Sequence, residues 1–232
     1  MDVLGDTIAR DRRSDRPALS VPAVGRSYDY RRFCTSAWKT GNFLRHLGVR
    51  DGVGVAVADD PTAEPVLTFY GAASLGAVVR FDPPRTIDSD TRALVVPASE
   101  IDEYEAGPET KRVAYRDPPS DPSVSYFERD VWSENPTEPP MHVDAEDPLL
   151  SAGGVRYSHG EVLEAARTVV EEHALGSTSI VAVRGSLADP AVVVAGLVAP
   201  IIAGAALSIG PESSGTLVVG GGESDVDPIE IG

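Results

Sequence analysis

The stretch Ser151-Ala152-Gly153-Gly154 is where this chain could gather backbone amides around an anion. A glycine-rich bend can aim successive N–H groups at a phosphate, and the hydroxyl of Ser151 would add a donor. Arg156, just beyond, would add positive charge. The same residues also read as a tight β-turn between Leu150 and Val155, with Arg156 alternating along a strand. The tight turn is the simpler reading, with Ser151, Gly153 and Gly154 as the candidate binding residues of the other.

Elsewhere the reactive residue types lack the spacing that chemistry needs. His46, His142, His159 and His173 show neither His-Xaa-Xaa-His nor His-Glu-Xaa-Xaa-His order, so no metal site is expected. His159 follows Ser158, a helix cap, and reads as a first-turn surface residue. Cys34, the single cysteine, falls on an early helix and reads as a buried, inert thiol. Ser186 lacks the Gly-Xaa-Ser-Xaa-Gly surroundings of a hydrolase nucleophile. The acid pairs Asp59-Asp60 and Glu171-Glu172 read as solvated loop or helix-end charges. Gly220-Gly221-Gly222 follows an apolar strand, but no helix follows it, so it reads as part of a flexible end. No residue is assigned a catalytic role.

The elements that would position these residues alternate between strand and helix. Ala18 to Pro22 and Arg26 to Tyr30 flank a hairpin signal, and Asp29 can cap a helix reaching about Leu47. A strand over Val53 to Ala58, a helix from about Pro65 to Leu75 and a strand over Ala77 to Phe81 follow. The second half repeats the plan. Gly154-Val155-Arg156-Tyr157-Ser158 matches Gly25-Arg26-Ser27-Tyr28-Asp29, Ile180 to Val183 mirrors Gly54 to Val57, and a helix from Pro190 ends at Gly204-Ala205. The offset between copies stays at 125 to 129 residues. The fold class expected is α/β, with two related subdomains, each a mostly parallel sheet flanked by helices. The division is a first βαβ subdomain over 1–117, a proline- and acid-rich surface connector over 118–147, a second βαβ subdomain over 148–219 and a flexible tail over 220–232.

Composition narrows the function classes. The 232 residues carry 36 acidic against 20 basic side chains, a formal net charge of −16, and only Lys39 and Lys111 are lysines. That charge is spread along the chain, which reads as a solvated surface suited to a salt-rich cytoplasm, not a patch for a basic partner. Nucleic-acid binding is disfavoured, because it needs clustered cations. The uncharged run from Pro190 to Pro211 is interrupted by Pro200 and flanked by Asp189 and Glu212, so a buried helix and strand are expected there instead of a membrane span. One cysteine and an acidic opening, Met1-Asp2-Val3-Leu4-Gly5-Asp6, fit a cytoplasmic protein with no secretory signal.

A resemblance to a known family rests on order and spacing. Arg16-Pro17-Ala18-Leu19, Ser27-Tyr28-Asp29-Tyr30 and Leu47-Gly48-Val49-Arg50-Asp51-Gly52-Val53-Gly54-Val55 resemble the opening of adenylate-forming, AMP-binding enzymes, which include the acyl-CoA synthetases. Tyr70-Gly71-Ala72-Ala73-Ser74-Leu75-Gly76-Ala77-Val78-Val79, Asp82-Pro83, Tyr157-Ser158-His159 and Ala203-Gly204-Ala205-Ala206-Leu207 continue it in order. The resemblance implies the large N-terminal domain of that family, with its pseudo-symmetric pair of sheets. It also implies ATP and AMP as ligands, with Ser151, Gly153 and Gly154 at the place of the phosphate loop.

The catalytic inventory departs from the family pattern. The threonines and Pro-Lys-Gly of the phosphate loop are missing, as are the Gly-Tyr-Gly-Xaa-Thr-Glu and Tyr-Arg-Thr-Gly-Asp segments and the small domain with its catalytic lysine. The expectation is an acyl-CoA synthetase-like protein that is non-catalytic by itself and acts through a protein partner or oligomer. The alternatives are a subunit of a split acid–thiol ligase completed by another chain, and a regulatory module that binds a nucleotide or acyl-CoA.

Overall fold

In the computed structural model residues 1–222 are described. A first unit runs β1 (Pro17–Val21), β2 (Arg26–Asp29), α1 (Tyr30–His46), β3 (Gly54–Val57), α2 (Ala63–Ala73) and β4 (Val78–Phe81). Then come β5 (Thr91–Pro97), β6 (Lys111–Tyr115), β7 (Ser125–Tyr126) and α3 (Phe127–Trp132). The second unit runs β8 (Pro148–Ala152), β9 (Val155–Ser158), α4 (His159–Glu172) and β10 (Ile180–Val183). A helical stretch follows in three windings, α5 (Pro190–Val192), a π-wound segment Val193–Val198 and α6 (Ala199–Ala203), before β11 (Ala206–Ile209) and β12 (Leu217–Val219).

The fold is the α/β class expected, with two mostly parallel sheets flanked by helices. One sheet is ordered β12-β10-β11-β1-β2 and the other β7-β6-β5-β3-β4-β8-β9. Every pairing is parallel except within the two hairpins, β1–β2 and β8–β9. Each hairpin joins the sheet built mainly from the other half of the chain. Leu19 of β1 pairs with Leu207 of β11, and Leu150 of β8 pairs with Val79 of β4. The two exchanges are counterparts, even to a register shift at Pro17/Leu19 in one hairpin and Pro148/Leu150 in the other. Each sheet thus draws on both halves of the chain.

Local chemistry accounts for the elements. Asp29 Oδ1 accepts from the N–H of Arg32 at 2.7 Å and starts α1. Ser158 and Glu161 form a reciprocal capping box that starts α4. Pro200 has no N–H to donate inside the last helical stretch, and the winding loosens into the π segment just ahead of it. Every residue of α2 is buried. This helix packs on β1 of one sheet and on β3 and β4 of the other, so it lies between them. It meets α1 at Gly41 and Gly71, where a Cβ on Gly71 would stand 2.7 Å from the backbone N of Gly41. Two buried hydroxyls tie this layer to the second unit: Tyr30 donates to Ala205 O at 2.7 Å and Tyr70 to Leu197 O at 2.8 Å.

The structure corrects several sequence readings. The connector over 118–147 is not wholly a surface link, because β7 extends the larger sheet and α3 buries Phe127 and Val131. Strands β5 and β6 add two members to that sheet that periodicity did not announce. His159 is fully buried instead of exposed. Gly220 packs on Gly185, where an added Cβ would lie 2.3 Å from Gly185 Cα. Residues 223–232 of the proposed flexible tail lie outside the described residues.

Candidate functional site

In open α/β sheets, ligands sit beyond the carboxyl ends of the strands where the strand order reverses. The order reverses at β3, which lies between β4 and β5, and again at β10, which lies between β11 and β12. The chain brings these two points together. Asp59, just after β3, accepts from Ser186 Oγ through Oδ2 and from the N–H of Leu187 at 2.8 Å through Oδ1. Ser186 and Leu187 follow β10. The next residue, Asp60, accepts from Tyr115 Oη at 2.8 Å, and Arg116 Nη2 lies 2.9 Å from each of its oxygens. The Asp59-Asp60 pair, read from sequence as solvated loop charge, lies in a loop with Asp59 exposed, and it also joins the ends of three strands.

Beside Asp59 lies a cleft of about 190 Å³, lined by Pro61, Arg184, Gly185, Leu187, Ile209 and Pro211 among others. The Arg184 Nε donates to Ser213 O at 2.8 Å. Ser186 Oγ donates to Asp59 and accepts from the N–H of Ala188 at 3.1 Å, so its hydroxyl is held in a turn. This is a shaped recess with backbone and carboxylate dipoles fixed around it. It can hold a small polar group; the hydroxyl and carboxylate it contains, Ser186 and Asp59, are hydrogen-bonded to each other. Among the described residues no three His, Cys, Asp or Glu side chains converge to hold a metal ion.

The sequence candidates lie elsewhere. Ser151 belongs to β8 and pairs with Arg156 of β9, while Ala152 pairs with Val155. Gly153 (φ +59°) and Gly154 (φ +84°) close the hairpin as a two-residue turn of positive φ, the backbone that glycine adopts most readily. The corresponding turn of the first unit, Pro22 to Gly25, is two residues longer. A Cβ on either glycine would meet nothing within 4 Å, so the turn projects into open space. Arg156 reaches Asp90 at 3.3 Å. The three residues thus stand together in one hairpin, Ser151 in its strand and the glycines in its turn, and they do not line the Asp59 cleft.

Two other candidates are enclosed. The Cys34 thiol is buried, and burial pushes its pKa up to about 12, which keeps it protonated and unreactive as expected. His159 Nδ1 accepts from the N–H of Leu4 at 3.1 Å, and its Nε2 is buried without a partner among the described residues. Burial lowers its pKa to about 4, so the ring is neutral at pH 7. Sequence reasoning missed Asp59; its signal was an acid directly after an apolar strand in a parallel α/β pattern.

No protein-family model and no curated protein sequence matches the chain. Solved structures do. The anthranilate CoA ligase AuaEII, in complex with anthranoyl-AMP, superposes with a TM-score of 0.76 at 20% identity, over 91% of this chain and 45% of that one. The chain has the fold of part of the large domain of adenylate-forming enzymes. The N-terminal domain of FACL13 from Mycobacterium tuberculosis gives 0.74 at 19% identity, over 92% of this chain and 58% of that one. The nonribosomal peptide synthetase FmoA3, bound to α-methyl-L-serine-AMP, gives 0.74 at 20%, over 90% of this chain and 24% of that one. The chain therefore spans between about a quarter and three-fifths of the ligase-like structures it matches, and at this identity the likeness is one of fold. Among the described residues no helix is long and apolar enough to cross a membrane.

Proposed function

We propose that this chain is a non-catalytic relative of the acyl-CoA ligases that acts through a protein partner in a salt-rich cytoplasm. The observation that carries this reading is the Gly153-Gly154 turn. Where the resemblance implies a phosphate loop, paired strand continues to Ala152 and resumes at Val155. Two residues cannot wrap a triphosphate with amides as a longer loop does. The core patterning is intact, so the fold is kept while the phosphate cradle is closed.

A second reading is a split ligase, in which another chain supplies the phosphate loop and the lysine. The recess at the two strand-order reversals favours it.

The test is acyl-adenylate formation by the pure chain in molar potassium chloride, with magnesium-ATP and a panel of short, medium, long and aromatic carboxylic acids. The expected result is no acid-dependent release of pyrophosphate, together with no saturable heat on titrating magnesium-ATP. Acyl-adenylate from the chain alone would overturn the reading. ATP binding without turnover would transfer support to the split-ligase or regulatory role.

A further inference from the structure

The groove between α1 and α3 concentrates positive charge on an acidic chain. Arg13, Arg26, Arg31, Arg32 and Lys39 line it against two carboxylates, Glu64 and Glu128. Both acids are engaged internally. Glu64, only 3% exposed, pairs with Arg26, and Glu128 Oε1 accepts from the N–H of Arg116 at 2.7 Å. Arg31 pairs with Asp15 at 3.0 Å. Arg13, Arg32 and Lys39 make no ion pair among the described residues. The Arg13 Nε is buried with no hydrogen-bond partner there, while its guanidinium lies 5.5 Å from the Trp38 ring.

The floor has the opposite character. Leu67, Phe127 and Val131 are buried beneath a space of about 520 Å³. At the rim Trp132 is 79% exposed; Lys39 Nζ donates to its backbone carbonyl at 2.5 Å and stands 5.1 Å from its ring. An exposed tryptophan among arginines is the composition of an interface hot spot. Guanidinium groups without ion-pair partners favour carboxylates, and the apolar floor needs an apolar side chain.

Charge range then selects the kind of partner. At physiological salt the screening length is about 8 Å, so a short segment in the groove responds to the nearby cations. A long polyanion would also run over the acidic surface around it, and a basic segment would be repelled at the groove.

We propose that this groove docks a short acidic segment of a partner protein. The segment seats an aromatic or aliphatic side chain on Leu67, Phe127, Val131 and Trp132, and its carboxylates pair with Arg13, Arg32 and Lys39. The proposal gives the partner invoked above a surface and a chemistry, and it rests on that reading only for the existence of a partner.

The test is selection of a displayed random dodecapeptide library on the full chain, with a parallel selection on a variant carrying Lys39→Glu and Trp132→Ala. The expected result is enrichment of peptides that combine several Asp or Glu with an aromatic or aliphatic residue. The selected peptides, made synthetically, should bind the native chain at least tenfold more tightly than the variant. Equal retention on both proteins, enrichment without acidic residues, or no enrichment overturns the proposal. So does binding of laurate at the groove with no acidic peptide selected. Should the double variant lose its thermal transition, Arg32→Glu, exposed on α1, replaces it. The selection reads no adenylation, so its failure and a failure of the non-catalytic reading are separate results.

Discussion

Asp59 and Ser186, joined by a hydrogen bond across the two sheets, stand 127 positions apart in sequence. That separation falls within the offset relating the two repeat units. The buried bond from Tyr70 Oη to Leu197 O spans the same 127 positions. In a two-fold arrangement, residues at equivalent positions meet only near the axis. These two bonds therefore mark a pseudo-two-fold axis running between the units, and the hairpin exchange places β1–β11 and β8–β4 symmetrically about it.

Replacing Asp59 by Ala removes the acceptor for both the Ser186 hydroxyl and the part-buried Leu187 N–H. The amide left without a partner makes this costlier than losing one surface bond, at about 1–3 kcal/mol. Ser186→Ala, which leaves the Leu187 bond in place, should cost less, about 0.5–1.5 kcal/mol. A double-mutant cycle by urea unfolding in molar potassium chloride should show coupling above about 0.5 kcal/mol. Strict additivity would show that the two loops are held together by other contacts.

The crossing of α1 and α2 gives a second prediction. A methyl on Gly71 would stand 2.7 Å from Gly41 N and 3.0 Å from Thr40 Cβ, both on the facing helix. Separating the helices to admit it disturbs a core in which all of α2 is buried. Gly71→Ala should therefore lose roughly 1–3 kcal/mol despite the better helix propensity of alanine. Gly107→Ala, where an added methyl meets nothing, should stay within about 0.5 kcal/mol. Equal denaturation midpoints for the two variants would contradict the close crossing.

Much of this fold was legible because helix signals are local. Asp29, Ser158, Pro190 and Gly204 mark boundaries through caps, a ring and a positive φ, and these act wherever the helix docks. Strands β5 and β6 were less legible, since a fully buried parallel strand carries no alternation to separate it from other apolar runs. The hairpin exchange could not be read at all, because nothing in Leu19 or Leu150 distinguishes a partner in its own half from one in the other. The candidate site failed similarly. Ser151, Gly153 and Gly154 were visible as turn chemistry, whereas Asp59 and the Arg13–Lys39 groove depend on residues brought together from distant segments.

His159 links acidity to stability. Its ring is buried neutral, with a folded pKa near 4 against 6.5 for an exposed histidine, and burial is the first cause. Between those values the unfolded chain binds the proton and the folded chain does not. The contribution is whole above about pH 6.5 and is lost as pH falls toward 4, amounting to on the order of 3 kcal/mol. Urea midpoints for the native protein and His159→Asn should differ most at pH 7 and converge by about pH 4.5. A difference independent of pH would show that His159 titrates normally and is therefore open to water.

Salt gives the last prediction. With 36 acidic and 20 basic side chains, the folded chain holds its excess negative charge closer together than the unfolded chain does. Many of the ion pairs that offset it, such as Arg31–Asp15 and Arg156–Asp90, are exposed, and such pairs contribute little. Screening shortens from about 10 Å at 0.1 M to about 3 Å at 1 M, so added salt relieves more repulsion than it removes attraction. The urea midpoint should therefore rise between 0.1 and 2 M potassium chloride. Replacing exposed acids such as Asp2, Glu146 and Glu171 by their amides should raise the midpoint at low salt and flatten its rise. A midpoint that falls with salt would mean that the exposed pairs outweigh the repulsion, and the proposal of a salt-rich cytoplasm would lose its support.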